Sequence, residues 1–279
     1  MSYKSLFTAV TDPDLQHKTL SQAADLAAQY DAHLDVLCLG VDTTQTGYYF
    51  AGANAVVLQE AMTRASEDAK ALEGSTSAWL AKTDIRWSCD AAMAQIGDLG
   101  RHVAGHARFS DLVVLPKPYG EKRGSELEPV VEGALFDGQA PVLVMPQKAE
   151  AQGAPKRVVI AWNEGSEALR AVRAALPILK GADRVSVVVV DPPVHGPNRS
   201  DPGGPLSQYL SRHGVKVEID VLAKSLPRVS DVLLRYATDA SADMLVMGAY
   251  GHSRFREAIL GGATRDMLEQ ATLPVFMAH

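Results

Sequence analysis

The 279-residue chain is 47% hydrophobic and 22% charged, a composition that supports a packed core and excludes a disordered chain. Its length suits about two average domains. A formal net charge of −6 argues against broad contact with nucleic acid or an anionic membrane, and no apolar stretch approaches the ~20 residues of a membrane span.

In chain order, MSYKSLFTAVTDPD has only a short apolar run before its first acids, so it does not read as a secretory signal. The expected location is therefore the cytoplasm. SLFTAV (Ser5–Val10), LDVLCLG (Leu34–Gly40) and IRWSC (Ile85–Cys89) are strand-like runs. Cys38 and Cys89 sit in the last two without metal or redox spacing, and are read as small core hydrophobes in a reducing compartment. Asn198-Arg199-Ser200 matches a glycosylation acceptor, which means nothing without a secretory signal. Asp98, His102 and His106 fall at i, i+4 and i+8 of an expected helix. His102 and His106 could share a metal, but the first and last positions lie about 12 Å apart along the axis. Gly100 and Gly105 weaken that helix and no third ligand is visible, so the trio is read as a solvated face.

The chain repeats itself. SDLVVLPKPYG (Ser110–Gly120) lies over ADMLVMGAYG (Ala242–Gly251), APVLVMP (Ala140–Pro146) over LPVFMAH (Leu273–His279), and SLFTAV over RVVIAW (Arg157–Trp162). The offsets require roughly twenty extra residues inside the first copy, placed at Thr43–Val56 and in part of the helical stretch after it. A polar, Ala-rich boundary at Gln147–Lys156 separates domains 1–147 and 157–279.

In the second copy VVIAW is a strand, and Ser166–Leu179 is helix-periodic behind an expected Ser166 cap. VSVVVV follows as a strand, then a Pro/Gly-rich crossover over Pro192–Pro205 and a short helix around Leu206–Arg212. VKVEIDVL, MLVM and PVFMA are further strands, separated by helices at Val229–Thr238 and Ala263–Ala271. Continuous apolar strands alternating with helices specify a parallel sheet covered on both faces. Each copy is therefore expected to be a doubly wound, five-stranded α/β domain.

Met247–Thr264 holds four glycines in eighteen residues. Gly248 directly follows MLVM, at the sheet edge where ligands of doubly wound folds bind. Gly248 and Gly251 bracket a turn, and Gly261-Gly262-Ala263-Thr264 opens the last helix, a ready anion site. Taken singly, these glycines read as strand-end, turn and helix-start residues. Their spacing, Gly-x2-Gly-x9-Gly, resembles the nucleotide loop of the universal stress protein family, and the paired α/β pattern makes the chain similar to a tandem member. That resemblance implies an adenine nucleotide alpha hydrolase-like fold, with ATP, with or without Mg²⁺, held by the second domain. Gly248, Gly251, Gly261 and Thr264 match the family motif. Gly262 stands where the family has Ser, and Asn163 where it has the Asp that ends strand one near the adenine. Val189 takes the place of an apolar contact to the base, and His252 and Ser253 lie on the loop.

In the first copy Pro116 replaces Gly248 and has no N–H to offer. Gly133-Ala134 is all that corresponds to the later glycine pair, and PKPYGEKRGSELEP reads as a polar loop with Lys117, Lys122 and Arg123 on it. This half is expected not to hold nucleotide, but to serve as a partner surface and support. No P-loop and no Gly-x-Ser-x-Gly elbow is present, so slow ATP hydrolysis is the most an enzymatic reading offers. Three functions follow: a nucleotide-binding stress regulator, a nucleotide-free scaffold whose domains pair through PVLVMP and LPVFMA as in family dimers, or a weak ATPase. The expected partners are an adenine nucleotide and a protein not named by the sequence, with further homodimerisation open.

Overall fold

The structure, a computed structural model, describes residues 2–43, 54–120, 124–146, 153–192, 201–249 and 262–279. The chain divides into two compact units, Ser2–Ala140 and Pro141–His279.

In the N-terminal unit the strands are β1 (Ser5–Val10), β2 (His33–Asp42), β3 (Arg86–Gln95) and β4 (Leu112–Pro116). They pair in the order β3-β2-β1-β4, all parallel. The helices are α1 (Pro13–Tyr30), α2 (Asn54–Leu80), α3 (Leu99–Ala107) and α4 (Leu127–Glu132), the last continuing as a π turn over Gly133–Asp137. Leu34, Val36, Leu37, Cys38 and Leu39 of β2 are all buried, because helices cover both faces of the sheet. On one face α2 presses so close that a Cβ on Gly40 would lie 1.7 Å from the Ala65 carbonyl oxygen. Only glycine fits there. Cys38 is buried and Cys89 half-buried on that same face, their sulfurs 3.7 Å apart.

The C-terminal unit repeats the plan. Its elements are β6 (Arg157–Ala161), α5 (Ser166–Leu179), β7 (Arg184–Val190), α6 (Gly204–Arg212), β8 (Val217–Leu222), α7 (Val229–Asp239), β9 (Met244–Gly248), α8 (Ala263–Gln270) and β10 (Val275–Ala278). The parallel order is β8-β7-β6-β9-β10. β5 (Val142–Met145) joins this unit, antiparallel to β10, with Val144 opposite Val275 and Val142 opposite Met277. The two strands expected to pair do so. The helices α2 and α6 account for part of the length difference between the copies, at 27 against 9 residues.

One local expectation is corrected. Ser166 is not the cap of α5: the N-cap is Gly165, and Ser166 is the first helical residue, its hydroxyl donating to Glu167. Among the described residues no helix is long and apolar enough to cross a membrane.

Candidate functional site

In the C-terminal unit chain order reverses between β6 and β9, the point at which doubly wound sheets bind ligands beyond their carboxyl ends. The register gathers three of the expected residues there. Ala161 pairs with Val188 on one side and Met247 on the other. Val189, Asn163 and Gly248 therefore stand at the carboxyl ends of three adjacent strands.

Each is held by a local cause. Trp162 N–H donates to the Val188 carbonyl at 2.9 Å, carrying the pairing one residue past β6. Asn163 is exposed, and its Oδ1 accepts from the Gly165 N–H at 3.0 Å while Glu164 turns through φ 62°. This Asx turn leads into α5. It engages the side-chain oxygen, so the NH₂ is the group Asn163 can turn outward. Val189 is buried, and the Gly203 backbone lies against it: a Cβ there would be 3.6 Å from Val189 Cγ2.

Gly248 is glycine for a reason that the sequence did not predict. A Cβ on it would lie 2.5 Å from the Ala168 amide nitrogen and 2.9 Å from the Glu167 carbonyl carbon. The group that approaches this strand end is the first turn of α5. The following residue, Ala249, is fully buried, its N–H donating to the Ala278 carbonyl at 2.9 Å and its own carbonyl 3.0 Å from His279 Nδ1. His279 Nδ1–H is the donor of that bond.

α8 supplies the second edge. Gly262 is its N-cap, extended at φ −84° and ψ 152°, with no side-chain cap, and its carbonyl accepts from Asp266 N–H at 3.0 Å. The amides of the first turn have no intrahelical carbonyl, which leaves a donor-rich helix start. Thr264 is buried in that turn. Arg228 ties α7 to it through Asp266 at 3.0 Å. Gly251, His252, Ser253 and Gly261 lie outside the described residues.

Sequence reasoning missed Glu167 and His279. Glu167 lies beside Gly248, its carboxyl held below the usual range first by its own backbone N–H at the start of α5 and also by the Ser166 hydroxyl and the His279 ring. It places a negative charge at the same edge as the α8 amides. The signal was present: Glu directly after Ser166 at a helix start is a favourable residue for the macrodipole.

The corresponding edge of the N-terminal unit differs. Beside Pro116 and Thr11 the cavity volume is about 10 Å³, room for a single water. A larger cleft of about 380 Å³ nearby is acidic, with Asp12, Asp68 and Glu126 in its lining. Gly133 opens no helix. It lies within the α4 segment against α3, where a Cβ would be 2.5 Å from Gly100 Cα.

Comparison with known proteins agrees with this architecture. A family model for the universal stress protein family matches residues 155–279. The C-terminal domain belongs to the universal stress protein family. Universal stress protein Slr1230 of Synechocystis sp. is 31% identical over 99 residues, which are 32% of this chain and 33% of that protein's length. In fold, a universal stress protein from Archaeoglobus fulgidus aligns with 98% of this chain and 95% of its own at a TM-score of 0.71 and 16% identity. PA1789 of Pseudomonas aeruginosa, described as functionally unknown, aligns with 98% and 92% at a TM-score of 0.60 and 12% identity. The universal-stress fold thus extends over both units.

Proposed function

We propose that the chain is an adenine-nucleotide-binding regulator of universal-stress type, with two repeats at 1–147 and 157–279 and ATP held by the second. The observation that carries this reading is the shared edge of Asn163, Val189 and Gly248 at the point where strand order reverses. The uncapped start of α8 adds the anion-binding element. In the proposed complex the Asn163 NH₂ donates to the base or ribose, and Val189 backs the base. The amides of Gly261 to Thr264, with the loop residues Gly251, His252 and Ser253, hold the phosphates. Mg²⁺ has a defined task beside Glu167: it neutralises phosphate charge where a carboxylate already stands. Binding alters the loop between Gly248 and Gly262, and with it a surface for a protein partner or a second copy in the cytoplasm.

The test is calorimetry of the purified chain with ATP, with and without Mg²⁺, beside mass spectrometry of any nucleotide it releases. One equivalent bound, with affinity reduced at least tenfold in Gly251→Trp, is the expected result. No heat at millimolar ATP and no released nucleotide would overturn it.

A scaffold without nucleotide is the second reading, favoured by the packing of α5 into the Cβ position of Gly248. It predicts that Gly251→Trp leaves function in stressed cells unchanged while the fold holds. A weak ATPase would show phosphate release that tracks the protein and falls in Thr264→Ala.

A further inference from the structure

The N-terminal unit carries a polar cluster on the sheet face covered by α3. Register sets Phe7, Asp35 and Ser88 in one row across β1, β2 and β3, with Asp90 two residues beyond Ser88 and on the same face. A carboxylate within a parallel sheet is costly unless it is paired and hydrogen-bonded. Asp35 is half-buried and both its oxygens are engaged. Ser88 Oγ donates to Oδ1 at 3.1 Å and itself accepts from His33 Nε2–H at 2.9 Å. His106 Nδ1 lies 2.8 Å from Oδ2, and its ring stacks on Phe7 at 5.4 Å and 12°. His106 is thus not on the solvated helix face expected for it: its side chain is 30% exposed, whereas His102 faces solvent.

Asp90 completes the group. Ligand atoms of Asp35, Asp90 and His106 all lie within 4.8 Å of one another. Among the described residues Asp90 has no hydrogen-bond donor, so His106 accounts for Asp35 and leaves a second carboxylate beside it. An open cleft of about 570 Å³, lined by Asp35, His102 and His106, gives access from solvent.

The C-terminal repeat supplies an internal comparison. Its equivalent row is Val159, Ser186 and Glu218, with Asp220 in the place of Asp90. There both acids are satisfied within the chain: Glu218 by Arg184 and Ser186, and Asp220 by the Tyr236 hydroxyl. In the N-terminal repeat two carboxylates instead converge on one imidazole.

We propose that Asp35, Asp90 and His106 form a site for a divalent transition ion of the Zn²⁺ class, with solvent from the cleft completing the coordination. Two carboxylate oxygens and one imidazole nitrogen suit such an ion better than Ca²⁺ or Mg²⁺, which favour all-oxygen sets. Bonds of about 2.0–2.2 Å place ligand atoms roughly 3.3 Å apart. Asp35 and His106 are already near that separation, and exposed Asp90 closes by rotation of its side chain. Ser88 and His33 form the outer hydrogen-bonded layer that orients Asp35. On binding, the Nδ1–H proton passes to solvent, Nε2 carries the remaining ring proton, and the freed Nδ1 lone pair coordinates the ion in place of the hydrogen bond to Asp35.

The test uses the full chain stripped with a chelator, then titrated with Zn²⁺ by calorimetry and with Co²⁺ by visible absorption. The expected result is one equivalent of Zn²⁺ and a Co²⁺ spectrum of low coordination number. Asp90→Asn, a substitution at an exposed position whose fold is checked by circular dichroism, should reduce Zn²⁺ affinity at least tenfold, as should His106→Gln. His102→Ala on the same helix should leave it unchanged. Absence of stoichiometric binding, affinity indifferent to Asp90→Asn, loss in His102→Ala, or a preference for Mg²⁺ or Ca²⁺ would each overturn the assignment.

Discussion

Gly248→Ala separates the two explanations of that residue. Its added methyl would meet backbone of α5 rather than a flexible side-chain end, and backbone cannot yield without moving the helix. The expected cost is about 1–3 kcal/mol, as for overpacking elsewhere, measured as a lower urea midpoint with no ligand present. An unchanged midpoint would mean that α5 shifts freely. Glu218 gives a second case, with a sign fixed by linkage. The Arg184 hydrogen bond, assisted by Ser186, holds its carboxyl below the usual range. A lowered folded-state pKa contributes stability that is present above the unfolded value of about 4.3 and lost as pH falls through the folded one. The side chain is 36% exposed, so screening keeps the contribution under about 1 kcal/mol. Glu218→Gln should therefore lower the urea midpoint slightly at pH 7, with the gap closing as pH drops below about 4. A third residue, Ser230, buries its hydroxyl without a partner in the described structure. Ser230→Ala should be neutral or stabilising by up to about 1 kcal/mol, since no hydrogen bond is lost and a desolvated oxygen is removed.

At the scale of elements, most of the fold was legible because local pattern and burial coincide. Runs such as VSVVVV are strands since both their faces are covered, and Ser166–Leu179 turns its periodic apolar residues, among them Ala168, Val172 and Ile178, toward the core. What could not be read were pairings across long separations. Nothing near Gly248 in sequence says that its neighbour is Ala168, and His106 meets Asp35 across 71 residues. Helical spacing placed His106 with His102, but the sheet decided otherwise by offering a carboxylate on the inner side of α3. The start of α8 shows the same dependence on distant partners. Asp266 lies in its first turn, where a negative charge suits the helix dipole, and Arg228 at the start of α7 holds it. With its amide oriented to satisfy both neighbours, Gln270 donates to Asp231 and accepts from Arg228. Asp266→Asn should loosen this join by about 0.5–1 kcal/mol, read as faster amide exchange over residues 263–267 than in the parent protein. Exchange at an unchanged rate would show that α8 is positioned by its buried residues Met267 and Leu268 alone.

For the molecule as a whole, repeat and compact unit do not share a boundary. The sequence repeat resumes near Arg157, whereas the C-terminal unit already includes β5 from Pro141 onward. β5 caps the free side of β10, and its four residues Val142 to Met145 are all buried. A C-terminal fragment cut at the repeat boundary would expose the β10 edge, with its row of unpaired amides and carbonyls, to any other chain. A fragment of residues 141–279 should therefore be more stable than one of residues 157–279. Loss of several buried aliphatic side chains, at about 1.5–3 kcal/mol each as an upper bound, makes a difference of roughly 2–5 kcal/mol reasonable. The shorter fragment should also self-associate as its concentration rises, since a second copy of β10 offers the same hydrogen-bonding edge that β5 occupied. Urea denaturation and sedimentation of the two fragments measure both effects. Equal midpoints with both fragments monomeric would mean that β10 needs no partner, and that the extra strand follows from covalent connection alone.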